Sequence, residues 1–230
     1  MGTISLEHSD RLYWLGRYTE RVFSTLEALG ALYDRLIDSA EGYQDYLQAF
    51  GLADTYGDKT AFFCSFLYDL ENPNSVAYSL ERAYDNGIVL REEISTVALS
   101  FLQMAKDILE KSAQGGNPQL SLLPLRDVLY SFWGCIMDNV FDEEVWNLIF
   151  CGKSMERVDF CLRMRLPFAE AEQEFRRLCR RLRFVPKDTP YRYNLQYLCD
   201  LVEILGAEEE YKLHADKAMA SLEHLFEVSA

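Results

Sequence analysis

Glycine and proline are scarce in this chain, twelve and six among 230 residues. An all-β protein draws heavily on both for its tight turns, and the alternating apolar pattern of strands is nearly absent as well. No apolar run approaches the roughly 20 residues that span a bilayer. The longest candidate, Ala61 to Leu67, is interrupted by Cys64 and Ser65, so no membrane partner is expected. Met1 to Asp10 carries Glu7 and no basic residue ahead of an apolar stretch, unlike a secretory leader, and a cytoplasmic location is the expectation. Histidine is limited to His8, His214 and His224, with no Cys-His or Ser-His-Asp arrangement at a recognisable spacing. A Gly-rich phosphate loop is missing too. The six cysteines (Cys64, Cys135, Cys151, Cys161, Cys179, Cys199) form no C-x-x-C pair. That argues against a zinc site or a secreted disulfide framework and for buried free thiols. Nor is there an excess of positive charge: the net charge is -14, which repels phosphates and excludes general nucleic-acid binding.

What is present is core material, with 49% hydrophobic residues, and helical periodicity. The expected fold is all-α, a bundle of about seven or eight helices, two or three of them long, forming a single domain over residues 1–230. Ser9 reads as the N-cap of a first helix running to about Ser39. Within it Leu12, Leu15, Val22, Leu26, Leu29, Tyr33 and Leu36, with Thr19 filling one place, keep the alternating three- and four-residue steps of a bundle seam. Short helical pieces and turns should follow through Gly51, Asp54 and Gly57, then a helix from Lys59 to about Leu70. Asn74 or Ser75 caps a long helix lasting to about Gln114, with a seam of Leu80, Ala83, Gly87, Leu90, Ile94, Val97, Phe101, Met104 and Ile108. Gly115 to Pro118 is the clearest linker and reads as a hinge in the bundle, with Pro118 suited to open the next helix. Further helices are expected over Leu125–Asn139, Glu143–Arg165, Phe168–Phe184, Tyr191–Leu205 and Glu208–Val228, punctuated by Pro167, Pro186, Pro190 and Gly206.

Three helices carry the same dipeptide in the same phase: Glu20-Arg21, Glu81-Arg82 and Glu156-Arg157. In each copy the flanking residues take seam positions: Thr19 and Val22, Leu80 and Ala83, Met155 and Val158. One turn before each Glu lies a small residue, Gly16, Ala77 or Gly152, which lets a neighbouring element approach closely. The pairs either lie on solvated faces as weak surface ion pairs or are drawn into the bundle by broad aromatic faces that include Trp14, Tyr18, Phe23 and Tyr84.

The stretches SDRLYWLGRYTERV, NSVAYSLERAYDNGIVLREEIS and FCGKSMERVDFCLR resemble the alpha-E domain family, helical bacterial proteins named for a Glu-Arg motif. Arg11, Tyr13, Trp14, Gly16, Arg17, Glu20 and Arg21 carry the most specific match. The third stretch departs from the pattern, with Lys153 where an Arg is usual and Val145-Trp146-Asn147 in place of an upstream Gly-Trp. The resemblance implies a role beside circularly permuted ATP-grasp ligase-like and transglutaminase-like proteins in a proposed peptide synthesis or modification system. It implies no activity of the chain's own.

Several chemistries remain open from the residues. Three carboxylates at equivalent helical positions might in principle be metal ligands, but each has a competing guanidinium beside it and the Glu-x-x-His spacing of di-metal bundles is missing there, so neither metal nor cofactor is expected. The basic run Arg176, Arg177, Arg180, Arg181 and Arg183 follows Glu170, Glu172 and Glu174. It is read as i,i+4 pairing such as Glu172 to Arg176, or as a dock for an anionic partner. The first functional reading is a non-catalytic partner that binds a ligase-like or transglutaminase-like enzyme, or its anionic peptide substrate. The residues expected to do so are Arg11, Trp14, Arg17, Glu20 and Arg21, then Glu81, Arg82, Asn86 and Arg91, then Lys153, Glu156, Arg157 and Asp159. Arginines would grip a carboxylate or phosphate while the glutamates orient them. The alternatives are an enzyme that forms or transfers amide bonds with a motif glutamate as general base, and a scaffold in which the pairs are structural clamps.

Overall fold

In the computed structural model, which describes residues 5–38, 42–114, 118–185 and 192–226, every regular element is a helix. Eleven are seen among the described residues: α1 (Leu6–Asp38), α2 (Tyr43–Ala49), α3 (Lys59–Tyr68), α4 (Val76–Val89), α5 (Arg91–Ile94), α6 (Thr96–Ser112), α7 (Pro118–Asn139), α8 (Glu143–Arg163), α9 (Phe168–Leu182), α10 (Leu195–Ile204) and α11 (Glu208–Glu223). None of them is long and apolar enough to cross a membrane. The chain divides into two compact units, one of Met1–Arg17 with Glu143–Ala230 and the other of Tyr18–Asp142, and α1 contributes to both. The expected hinge at 115–118 falls within the second unit. Residues 115–117 lie outside the described residues, as do Ser39, Pro186, Pro190, Tyr191 and Val228.

Local chemistry explains most of the boundaries. The cap of α1 is Ser5, not Ser9: the Ser5 hydroxyl accepts from the His8 amide at 3.2 Å, while Ser9 is buried inside the helix. Asp58 caps α3 through the Ala61 amide at 2.8 Å, and Ser75 caps α4 through Tyr78 at 2.9 Å, as its sequence position suggests. The seam of α1 is buried at Leu12, Leu15, Thr19, Val22, Leu26, Leu29 and Leu36. Tyr33 is only partly covered.

The long helix expected to run to Gln114 is three helices. Ser95 sits at φ 77°, a left-handed value that interrupts the helix, and its hydroxyl caps the Ala98 amide at 3.3 Å. The interruption resets the seam by one residue. Ile94 is buried, but the residues that follow it into the core are Ala98, Leu102, Ala105 and Leu109, whereas Val97 and Met104 are 54% and 47% exposed. Pro118 opens α7, as its place after the linker suggests, so the helix starts seven residues before the expected Leu125 and has Pro124 inside it; α10 begins at Leu195 behind an Asn194 cap.

The Tyr18–Asp142 unit has an aromatic centre. Phe62 stacks on Tyr43 at 4.9 Å and packs against Phe66 at 4.7 Å, with Tyr46 edge-on to both. In the other unit the organising feature is a helix crossing. A Cβ built on Gly16 would collide with the Ile149 carbonyl, and one on Gly152 with the Tyr13 carbonyl. Each glycine faces the residue three before and the residue one after the other glycine, Ile149 and Lys153 against Gly16, Tyr13 and Arg17 against Gly152. The backbones of α1 and α8 therefore touch in a locally two-fold arrangement that only glycine permits.

The thiols are more varied than expected. Cys135, Cys151 and Cys161 are buried, Cys179 is partly covered, and Cys64 and Cys199 are exposed. Burial raises the Cys151 thiol above its ordinary value and pushes Cys161 up to about 12, with Glu174 and Glu170 adding to the latter. Both stay protonated at neutral pH and are poor nucleophiles. Alkylation of the native protein at pH 7.5 (roughly one unit below an ordinary thiol), followed by peptide mapping, should modify Cys64 and Cys199 first. Cys135, Cys151 and Cys161 should react only after denaturation. Gly152→Ala should cost at least about 2 kcal/mol, because the carbonyl opposite cannot give way. Gly134→Ala, where a Cβ meets nothing within 4 Å, should gain about 0.5–1 kcal/mol in urea titrations. Equal effects would refute the close crossing.

Candidate functional site

The Gly16/Gly152 crossing brings the residue after one glycine against the motif of the other helix. Arg17 Nε donates to Glu156 Oε2 at 2.8 Å, and Arg17 Nη2 lies 3.6 Å from Asp159 Oδ1. Asp159, one turn further along α8, is held from its other side by Arg163, whose Nε donates at 2.7 Å and whose Nη2 donates to the second oxygen at 3.3 Å. Arg163 also reaches Glu223 at the end of α11, 3.2 Å away. The result is a continuous line of alternating charge, Glu156, Arg17, Asp159, Arg163 and Glu223, tying α1, α8 and α11 together within one unit.

Burial sets the strength of this line. The Glu156 and Asp159 side chains are 5% and 8% exposed and that of Arg17 12%, so solvent screening is weak there. Burial by itself would depress the Arg17 guanidinium. The Glu156 carboxylate, followed by Tyr13 and Asp159, more than reverses this and holds it above its ordinary value. Arg163 shows the same balance, with burial opposed by the Asp159 hydrogen bond and charge. Aromatic rings wall the cation on its open side: the Arg17 guanidinium carbon is 5.3 Å from the Trp14 ring centre and 6.0 Å from that of Tyr13. Tyr13 in turn packs on Phe226 at 5.2 Å.

The other expected residues have different surroundings. In the same unit Arg11 pairs with Glu7 at 3.1 Å. Lys153 lies over Phe150 at 5.8 Å. Arg157 points to Glu174 on α9, 3.4 Å away, where Arg177 also bonds at 2.5 Å. In the Tyr18–Asp142 unit Glu20 is buried, and Arg21 lies over the Tyr18 ring at 5.7 Å. Arg82 lies over Tyr78 at 5.1 Å and near Asp85 at 3.9 Å, with Tyr18 close enough to raise its basicity alongside Tyr78. Glu81 pairs with Lys106 at 2.6 Å. Asn86 is partly covered and Arg91 is exposed beside Glu92. Tyr18 thus brings the first and second motif arginines into one neighbourhood, and the third motif belongs to the other unit.

A family model described as a predicted alpha-helical domain with a conserved ER motif, Alpha-E, matches residues 8–221. The chain belongs to the Alpha-E family. No curated protein and no solved structure matches it at a significant level. In this Alpha-E chain two of the motif glutamates bond outside their own dipeptides. Glu156 bonds to Arg17 and Glu81 to Lys106, because the glutamate faces across the helix crossing while the following arginine turns about 100° away.

Sequence reasoning missed Arg163, Glu223, Glu174 and Lys106. Arg163 was within reach, standing four residues after Asp159 on one helix face. Glu223 and Lys106 arrive from distant segments, and no local spacing marks them. The basic run behaves as the helix pairing expected: Arg176 bonds to Glu172 at 2.6 Å and Arg177 to Glu174. Arg181 lies over Trp146 at 4.6 Å. His214 is exposed beside Glu210 at 3.6 Å. Among the described residues no group of three or more His, Cys, Asp and Glu is placed to hold a metal ion.

Arg17 and the motif arginine Arg157, in one unit, should therefore differ sharply. Arg17→Ala leaves Glu156 buried without its guanidinium and should cost about 3–5 kcal/mol. Arg157→Ala removes a partly buried ion pair whose carboxylate, Glu174, keeps Arg177 as a partner, and should cost about 1 kcal/mol. Denaturant midpoints of the two variants measure the contrast, and similar losses would show that the Arg17 network is not the clamp described.

Proposed function

We propose that this Alpha-E chain is a cytoplasmic, non-catalytic helical partner in a peptide synthesis or modification system. It would dock an ATP-grasp ligase-like or transglutaminase-like enzyme, or the anionic peptide such an enzyme works on. The observation that carries this reading is the state of the motif carboxylates. Glu156 and Asp159 are each bonded to a guanidinium at under 3 Å, and Glu81 is bonded to an ammonium at 2.6 Å. A general base needs a lone pair directed at substrate. Here lone pairs of all three carboxylates are directed at cations of the chain itself. This counts against an amide-forming enzyme built on those groups.

Support for anion docking comes from the Tyr18–Asp142 unit. Arg82 is half exposed, and Arg21 and Arg82 stack on Tyr18 and Tyr78 in one neighbourhood. Stacked guanidinium groups are preorganised, so they grip a carboxylate with little further loss of side-chain freedom. The clamp reading is favoured for the third motif by its burial. The two readings combine without conflict: the Arg17 network holds helices, and Arg21 with Arg82 meets the partner.

Calorimetric titration of the chain against a ligase-like enzyme, a transglutaminase-like enzyme and an acidic peptide tests this. One of them should bind, and Arg82→Glu should weaken it about tenfold or more while leaving thermal unfolding unchanged. Absence of binding to all three would leave the pure scaffold reading. Amide formation lost in Glu156→Gln with folding intact would overturn the non-catalytic assignment.

A further inference from the structure

The helix pairing on α9 covers only part of its basic run. Arg176 bonds to Glu172 and Arg177 to Glu174. Among the described residues no carboxylate stands within ion-pairing distance of the other three, Arg180, Arg181 and Arg183. Arg181 instead lies over the Trp146 ring at 4.6 Å. Trp146 packs on Phe150 at 4.5 Å, and Lys153 lies over Phe150 at 5.8 Å. Trp146, Phe150 and Lys153 stand at i, i+4 and i+7 on one face of α8, so two stacked rings carry a cation at each end. The buried Asn147 amide donates to the Arg181 carbonyl at 3.1 Å, fixing the last turn of α9 beside this column. The Arg181 guanidinium is thus held in place by contacts that use its face and leave its N–H donors available.

Electrostatics sets this arginine apart from the clamp. Arg17 and Arg163 are also covered, but carboxylates more than offset the cost and hold both above their ordinary basicity. At Arg181 burial first, and then the charge of Arg180, hold the guanidinium below its ordinary value, with only Cys151 acting in the other sense. Arg180 and Arg181 therefore stand close enough to repel each other, with no acid to relieve them. The α9 dipole eases cations into the last turn, but it gives the two forks no shared acceptor. An anion between them gains from both charges at once. A carboxylate brings one charge and two oxygens. A phosphate group brings close to two charges at neutral pH and three acceptor oxygens, a better match for two planar forks.

We propose that Arg180 and Arg181, with Trp146 holding Arg181 in place, bind the phosphate group of a small phosphorylated ligand, which bridges the two guanidinium groups. Trp146 is already in contact with Arg181 and Phe150, so recognition lies in the phosphate oxygens and not in the stacking of a ligand ring. The site is independent of the partner-docking reading, whose Arg21 and Arg82 belong to the other unit.

Calorimetric titration of the full chain compares pyrophosphate with citrate, a polycarboxylate of similar charge. Pyrophosphate should bind, and citrate about tenfold or more weakly. Arg181→Gln should weaken pyrophosphate about tenfold or more with the helical circular dichroism intact. Arg181→Lys, which keeps the charge and loses the fork, should weaken it several-fold. Arg180→Gln, at an exposed position, should also weaken it and decides the matter even where Arg181→Gln fails to fold. Arg176→Gln removes a nearby charge that Glu172 already matches and should leave the affinity within about twofold. Pyrophosphate that does not bind, citrate that binds as tightly, or an equal loss in Arg176→Gln and Arg180→Gln would each overturn the proposal.

Discussion

One guanidinium, that of Arg17, sets the geometry of the unit built from the start of α1 and from α8 to α11. Bringing it to 12% exposure requires compensation, which Glu156 and Asp159 supply from a single face of α8. That compensation is available only because Gly16 and Gly152 let the two backbones touch. With longer side chains at the crossing the helices would stand further apart, and the ion pair would be replaced by two separately solvated groups. A buried pair of this kind contributes little net stability against an apolar substitute of the same shape. What it supplies is specificity. Only one rotation and one displacement of α8 along α1 satisfies a planar fork with a carboxylate at 2.8 Å and another at 3.6 Å. A lysine in that place would meet one acid as a point charge and leave the choice of register less sharp.

The two copies of the motif at this crossing differ from the second copy in a way their sequence shows. GRYTER and GKSMER share Gly, a basic residue, and Glu-Arg at the same offsets. The second motif helix has Ala77 at the small position and Tyr78 where the others have the basic residue. Its glutamate accordingly turns to Lys106 of α6, and its arginine to Tyr78. The dipeptide is thus a common phase marker with two kinds of surroundings. The glycine, rather than the dipeptide, decides whether the motif stands at a backbone-to-backbone crossing.

This also separates what was legible beforehand from what was not. The all-α class, the α1 seam, the Ser75 cap and the close approach at Gly16 and Gly152 follow from periodicity and side-chain size, both local properties. Ser95 shows where local reasoning stops. The seam pattern Val97, Phe101, Met104, Ile108 is as good a helical stripe as Ala98, Leu102, Ala105, Leu109. Only the φ of 77° at Ser95 decides between them, and a serine carries no obligation to adopt it. At the start of α1, Ser5 and Ser9 are equally competent caps by residue type, and what separates them is tertiary: Ser9 is buried one turn inside the helix, whereas Ser5 stands exposed at its start. The partners of the site were the least legible part. Glu223 and Lys106 are set by tertiary packing, which leaves no trace in spacing along one helix.

The two units differ in how deeply their arginines are covered. Around Arg17 in the first, acids and guanidinium groups are matched within hydrogen-bonding distance in low-dielectric surroundings, a condition that fixes structure and leaves little for a ligand to gain. In the second, Arg21 and Arg82 lie over the partly covered rings of Tyr18 and Tyr78, and Arg82 is half exposed. A half-exposed guanidinium has donors that face water, and binding can draw on them. A motif kept for its role in folding and a site used for recognition therefore need not coincide. In this chain the third Glu-Arg step, with Glu156 buried against Arg17, holds helices, whereas the arginine of the second step keeps half its surface in water.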